Sequence, residues 1–432
     1  MTTPIIFNGV PWFDNERHTV NAHGASLIED GGRYWLIGER KTDDGNGFDG
    51  FACYSSPDLA HWTFERIILP PQNEETSLLG PRRIGSHAKV LKNPKTGKYV
   101  LLARTDTPKH TDPITCVAVS DTINGEYQLL CALEYEEAPL RKGDLGVFQE
   151  ADGTAYAMFC EGDIYRLSPD YTSLEALVVK GIAPGSSSPV LTKINDTYFA
   201  LFSHKTSWDS NDNYYYAAPS IEGPWQAQDT FAPEGTRTWN SQCSFVFPLT
   251  LTDGTTVPVY MGDRWSYPHQ ASAASLVLMP LAVRGTDLSI PEYWPAWDPR
   301  TATQVLLTGH LLPAKLNSNH TSEEIRLPFD IDGQGRVSIL GSASCHGGYA
   351  NVEISASNGR PILSQPFTFY APTRYNGALF IGPELPTGDY QLRVRVLDES
   401  SVFYAKDGTK LGSEDTKVVV SGVRTLNSAD YR

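Results

Sequence analysis

The sequence predicts an all-β protein: a five-bladed β-propeller followed by a C-terminal β-sandwich. Three observations carry this. Five times between residues 31 and 283, a turn led by Gly, Asp, Asn or Lys-Thr-Gly opens an aromatic-rich run that alternates at period two. A second run follows each time, and a hydrophilic stop closes the phrase, as half-buried strands joined by hairpins do. No segment keeps a 3.6-residue apolar period for more than about two turns, which excludes long helices. Beyond about residue 305 the phrase stops recurring and shorter runs of another texture take over. Repeats of this length, each with several short strands, are the signature of a propeller. A pair of β-sandwiches would not repeat one strand-turn-strand phrase five times.

In order, the first phrase is GGRYWLIGER with FACYSSPDLAHWTFE, Gly31 to Glu65, and the second is KTGKYVLLAR with TCVAVSDTINGEYQLL, Lys95 to Leu130. The third is DGTAYAMFC with IYRLSPDYTSLE, Asp152 to Glu175. NDTYFALFSH with YYYAAPSIEGPWQ, Asn195 to Gln226, is the fourth, and DGTTVPVYMGDRW with ASLVLMPLAV, Asp253 to Val283, is the fifth. The propeller is placed at residues 1–300. Residues 305–432 contain EIRLPFDI, GRVSILGSA, YANVEISAS, ALFIGP, GDYQLRVRVLD and TKVVVSGVRTL, the short alternating strands of a sandwich. Such a domain binds carbohydrate or braces its neighbour, and no aromatic cluster can be assigned to one face, so bracing is the expectation.

A formal charge of −15 over 432 residues argues against nucleic acid or an anionic membrane as partner. No apolar run approaches the roughly 20 residues of a membrane span. MTTPIIFNGVPWFDNE has neither the basic start nor the apolar core of a signal peptide, so the chain reads as soluble and cytoplasmic. The six cysteines are scattered without CxxC spacing and read as free thiols rather than a zinc site or disulfide framework. No DxDxDG loop or comparable ligand spacing is present, so no metal or cofactor is expected.

In a propeller the innermost strands converge on one axis, so polar residues far apart in sequence meet in one funnel. The candidates on or beside such strands are His23, Glu39, Ser86, His87, Asp144, Glu161, Ser187, His204, Gln242 and Asp263. Asp263 adjoins Arg264 and is expected to form an internal ion pair with it. The stretch GPRRIGSHAKV places Arg82, Arg83, His87 and Lys89 within eight residues, without a carboxylate.

Several phrases together resemble one family. PWFDNERHTVNAHGASLIEDGGRYWLIGER, CYSSPDLAHW, VAVSDTINGEY with IEGPW, SQCSFVF and YMGDRW resemble glycoside hydrolase family 43, in its exo-β-1,3-galactanase-like branch, from about Pro4 to Trp297. The resemblance implies a five-bladed propeller that removes single galactose units from β-1,3-galactan with inversion. It places sugar-gripping carboxylates at Glu39 and Asp144, a hydroxyl-orienting histidine at His23, a Thr-Gly-Trp-like phrase at Thr206, Ser207 and Trp208, and the branch's glutamine at Gln242. Two departures stand beside these matches. The general-acid glutamate falls on Ser187, and a second glutamate falls on Ser86. A serine hydroxyl cannot donate a proton to a leaving glycosidic oxygen at neutral pH.

Inverting hydrolysis needs an acid and a base about 6.5–9.5 Å apart. The substitutes available are His87, whose imidazole titrates near neutrality, Gln242 and Glu161, with His204 as a further candidate. Arg82 and Arg83 are expected to lower the His87 pKa, favouring a base over an acid. Trp208 offers a platform for the apolar face of a sugar. The expected function is hydrolysis at the non-reducing end of galactan or arabinogalactan-type glycans with non-standard catalytic residues. One alternative is elimination on a uronic-acid-containing glycan, with a His base and Arg83 holding the carboxylate. The other is sugar binding without turnover. All three take an oligosaccharide or polysaccharide partner.

Overall fold

The computed structural model describes residues 3–45, 47–405 and 407–431. Four antiparallel four-stranded sheets and one three-stranded sheet form the five blades. The innermost strands are His23–Asp30, Ile84–Lys92, Leu145–Gln149, Ser186–Ile194 and Gln242–Thr250. Each touches the next, and the fifth touches the first, so the ring closes. Every predicted phrase begins in the hairpin that follows an inner strand and supplies the outer strands of that blade: Arg33–Lys41, Phe48–Ser56 and Thr63–Leu69 in the first. The inner strands precede the phrases because they are the less aromatic part of each blade.

Alternation puts one side of each blade against its neighbour. Ile37, Phe51 and Cys53 of the first blade pack with Val90, Leu101 and Ala103 of the second, all fully or almost fully buried. The three-stranded fifth blade is flanked by both ends of the propeller segment. Ile6–Phe7 pairs with Ala296–Asp298, the Asn8 amide exchanges hydrogen bonds with the Leu278 backbone, and Trp297 donates its indole N–H to the Leu278 carbonyl at 2.8 Å.

Four of the five inner strands slip register near their start, between His23 and Ser26, Ser86 and Lys89, Ser187 and Val190, and Cys243 and Phe245. Three of these bulges contain a residue in the left-handed region: Gly24 at φ +52°, His87 at +50° and Ser188 at +47°. A bulge leaves one residue unpaired and bends the strand, and here it turns the strand starts toward the axis. Below the bulges Lys89, 1 % exposed, reaches across the ring to the carbonyls of Gly24, Ala25 and Ser244 at 2.7–3.0 Å.

The C-terminal strands form a two-layer sandwich in which the long strand Glu324–Ala343 serves both layers. Its first half pairs with Leu385–Ser400, and its second half with Val418–Asn427 and Tyr375–Ile381. Gly335 lies at the change of layer, where a Cβ would meet the Leu426 carbonyl at 2.7 Å. The core between the layers also takes Phe13 from the N-terminal segment, edge-on to Phe380. Among the described residues no helix is long and apolar enough to cross a membrane.

Candidate active site

The starts of the inner strands lie on one face of the ring, and the side chains there fall into two linked groups. The first is built on Asp144, 7 % exposed, just before the third inner strand. Arg104 Nη1 approaches its Oδ1 at 2.6 Å and His87 Nε2 lies 3.3 Å from the same oxygen. Ser187 donates its hydroxyl to Oδ2, and the Ser188 N–H adds a bond to Oδ2 at 3.1 Å. Burial alone would raise this carboxyl, but the charges of His87 and Arg104 and the two serine donors hold it well below the usual carboxylate range. Arg104 also pairs with Asp106 at 2.6 Å.

The second group comes from the first and fifth blades. His23 Nδ1 lies 3.3 Å from Asp263, which also accepts the Gly24 N–H. Glu39 sits opposite His23 in the strand register and pairs with Lys41 at 2.7 Å. The Gln242 amide is fixed at both ends, donating to Ser203 Oγ at 3.0 Å and accepting from the Trp265 indole at 2.9 Å. Trp208 packs edge-on against Trp265 and stacks on Tyr267, with Lys41 Nζ 5.8 Å from its ring centre. The two groups meet at Gly24, where a Cβ would stand 3.0 Å from Glu39 Oε1 and 3.1 Å from the His87 nitrogen.

Burial pushes the His87 imidazole down, against the pull of Asp144 and Glu39 and with help from Lys89 and Arg104. The expected contribution of Arg82 and Arg83 is corrected: Arg82 is exposed and pairs with Glu75, and Arg83 is held by Asp112 and Thr105. The expected Asp263–Arg264 pair is also corrected. Asp263 turns to His23, while Arg264 donates to the Trp239 and Gly9 carbonyls between the rings of Tyr293 and Tyr375. Adjacent residues of a strand point to opposite faces, which is why the sequence neighbours part.

The other candidates lie at the margin. Glu161 pairs with Lys205 and accepts the Gly185 N–H, contacts that hold it below the usual glutamate range, the charged state rather than that of a proton donor. His204 is exposed and stacks on Tyr214. Thr206 shapes its own loop through Asp209 and Asn211. Arg104, Asp106, Lys41, Trp265 and Tyr267 join the central groups without having been singled out in the sequence. The one available signal was alternation: Arg104 lies opposite Ser86 in the register, at the site end of its strand.

Gln242 is aimed by an uncommon device. Arg237–Asn240 form a turn in which all four residues have φ between +52° and +56°, a conformation that L-residues resist by about 1–2 kcal/mol each. Thr238, Trp239 and Asn240 anchor it through bonds to the Asn211, Ile290 and Thr373 carbonyls. Beyond Trp265, a narrow cleft separates propeller from sandwich, lined by Trp208, Asp263, Tyr370 and Tyr375 among others. It shares Asp263 and the two tryptophans with the central groups.

A closed five-bladed ring that gathers carboxylates, histidines and tryptophans on one face has the architecture of the propeller glycosidase class. Residues 18–228 match the model of glycosyl hydrolases family 43. A Bifidobacterium bifidum s17 protein provisionally assigned as an exo-β-1,3-galactanase is 32 % identical, over 66 % of this chain and 96 % of that one, with a TM-score of 0.62. The exo-β-1,3-galactanase of Phanerochaete chrysosporium, in a structure with β-1,3-galactotriose, is 22 % identical over 98 % and 100 % of the two chains, with a TM-score of 0.67. That of Clostridium thermocellum is 21 % identical over 99 % and 88 %, with a TM-score of 0.62. The comparison with curated proteins finds no match. The chain belongs to glycoside hydrolase family 43.

Proposed function

We propose that this glycoside hydrolase removes sugar units from the non-reducing end of galactan or arabinogalactan-type glycans, with His87 as the proton-transferring group. The observation that carries the reading is the placement of His87. It is a titrating side chain on a left-handed bulge residue, a conformation usual for glycine, bent toward the axis and set against an ionised aspartate. Strain of this kind is kept where the surroundings over-determine it, and functional sites are where it collects. The assignment of the 32 % identical Bifidobacterium protein supports the substrate class.

In this reading protonated His87 gives its proton to the departing oxygen, and Asp144 stabilises the imidazolium. Gln242 holds the attacking water, whose oxygen bonds to the anomeric carbon as the glycosidic bond breaks and whose proton passes to bulk solvent. Trp208 carries the apolar face of the sugar, and His23, Glu39 and Asp144 meet its hydroxyls; the buried His23 Nε2 makes no protein hydrogen bond among the described residues. Glu161, Arg83, His204 and Thr206 stay at the margin, as outer contacts or loop supports. We place the end of the propeller near residue 300 and the sandwich from 305, supported by the pairing of Ala296–Asp298 with Ile6–Phe7.

A second reading, sugar binding without turnover, is favoured by one observation. The carboxylates at the centre are each engaged by a basic side chain, and a serine, Ser187, stands where the resemblance places the general acid. Incubation with β-1,3-galacto-oligosaccharides and arabinogalactan separates these readings, with released sugars and the ultraviolet absorbance of unsaturated uronates followed together. Free galactose without absorbance is the expected result. Saturable binding with no product would establish the second reading, and absorbance would establish elimination.

A further inference from the structure

We propose a metal site on the sandwich, formed by Cys345, His346 and Glu414 and suited to Zn²⁺. The inference does not depend on the glycosidase reading, because all three residues belong to the C-terminal sandwich.

Cys345 and His346 occupy the tip of a tight turn between Glu324–Ala343 and Gly348–Ala356, closed by the Gly347 N–H to the Ser344 carbonyl at 2.9 Å. Glu414 comes from a separate segment that runs alongside. One ligand atom of each residue, a thiol sulfur, an imidazole nitrogen and a carboxylate oxygen, lies within 4.8 Å of the other two. His346 Nδ1 is already 3.1 Å from Glu414 Oε2. Metal–ligand bonds of about 2.3 Å to sulfur and 2.0–2.2 Å to nitrogen and oxygen draw such atoms to within about 4 Å of one another. The exposed side chains of His346 and Glu414 can close that difference by rotation.

Backbone bonds independent of these side chains clamp the two segments together. The Glu414 N–H donates to the Cys345 carbonyl at 2.8 Å, and the Lys417 N–H to the His346 carbonyl at 3.0 Å. Ser413 adds its hydroxyl to the Cys345 carbonyl. The ligand-bearing backbone is therefore set in place before any metal arrives, which is what a site of few ligands requires. A surface His–Glu pair would need no thiol beside it. The mixture of thiolate, imidazole and carboxylate selects against Ca²⁺ and Mg²⁺, which take oxygen ligands, and fits Zn²⁺ with a water in the fourth position. Such an ion would pin the segment after the hairpin Val402–Tyr404 and Lys410–Gly412, whose Phe403 packs on Tyr267 behind the aromatic wall of the active site.

The test is Co²⁺ titration of the full-length, tag-free chain after chelation and reduction. We expect one Co²⁺ per chain, a near-ultraviolet thiolate-to-cobalt band, and its displacement by Zn²⁺. Cys345→Ser should abolish the band while leaving the circular dichroism of the fold unchanged. His346→Ala and Glu414→Gln should each weaken binding by about tenfold or more, at least the loss seen when a ligand's supporting contact is removed. Absence of the band in the wild-type chain overturns the proposal. So does a band that survives Cys345→Ser, which would place the metal on another thiol.

Discussion

At His87 the backbone and the side chain make opposite demands. A φ of +50° suits glycine, and burial opposes the charged imidazole, yet the residue sits on the ring beside Asp144. Its role sets the sign of a pH profile. Because burial lowers its pKa, the proton-donating form accumulates only below the ordinary imidazole range near 6.5. Galactose release should therefore be low at neutrality and rise only as the pH falls below that range; a histidine acting as the base of an elimination would give the reverse slope. His87→Ala should reduce kcat by about 10² to 10⁴, the usual worth of a general acid or base, with the sugar-dependent shift in Tm retained. Unchanged kcat would remove His87 from the chemistry. The sequence singled out His87, Asp144 and Gln242 but mistook the partners of the arginines. Arg104 holds Asp144 from the neighbouring blade, and nothing local to Asp144 announces it.

Among the elements, the five inner strands carry both the ring and the site. Their bulges aim side chains inward, and one lysine ties three blades together below them. In the sequence Lys89 stands among the cations of GPRRIGSHAKV; in the fold its ammonium is spent on three backbone carbonyls of the first and fifth blades. Lys89→Met removes the charged donor from all three, leaving the Ala25 carbonyl only the Ser244 hydroxyl at 3.3 Å. Since a buried unsatisfied group costs roughly 1–3 kcal/mol, partial relaxation makes a loss of about 3 kcal/mol the expected result in denaturant unfolding. Desolvation lowers the Lys89 pKa to about 8, below the unfolded value of about 10.4. The folded state thus releases this proton more readily than the unfolded chain, so this contribution to stability grows as pH rises from about 8 toward 10.4. The wild-type chain should show that increment over Lys89→Met; parallel curves would contradict the depressed pKa.

For the whole molecule the question is whether propeller and sandwich unfold together. Polar ties cross between them: Tyr370 to Asp209 at 2.6 Å, a reciprocal pair between Asn240 and Thr373, and Tyr349 to Ser266 and the Tyr267 carbonyl. Phe13 leaves the N-terminal segment to fill the sandwich core. These contacts support the bracing role expected for the sandwich. Phe13→Ala should cost about 3 kcal/mol, the lower end for a buried phenylalanine, since the side chain lies at the core's edge. If the two parts are coupled, the single thermal transition should move down as a whole. A second transition splitting away at lower temperature would show that the sandwich folds independently.

The five phrases, their hairpin turns and the change of texture near residue 305 were readable because strand alternation and turn chemistry are local properties of the chain. His23, Glu39, His87, Asp144 and Gln242 could be nominated for the same reason, since their positions at one end of the blade strands follow from the repeat. Which charges meet was decided only by ring closure. Asp144 draws Arg104 and His87 from the second blade and Ser187 from the fourth, and Asp263 turns from its neighbour Arg264 to His23. Electrostatic partners depend on distances of a few ångströms between segments remote in sequence, and those distances exist only once all five blades have packed.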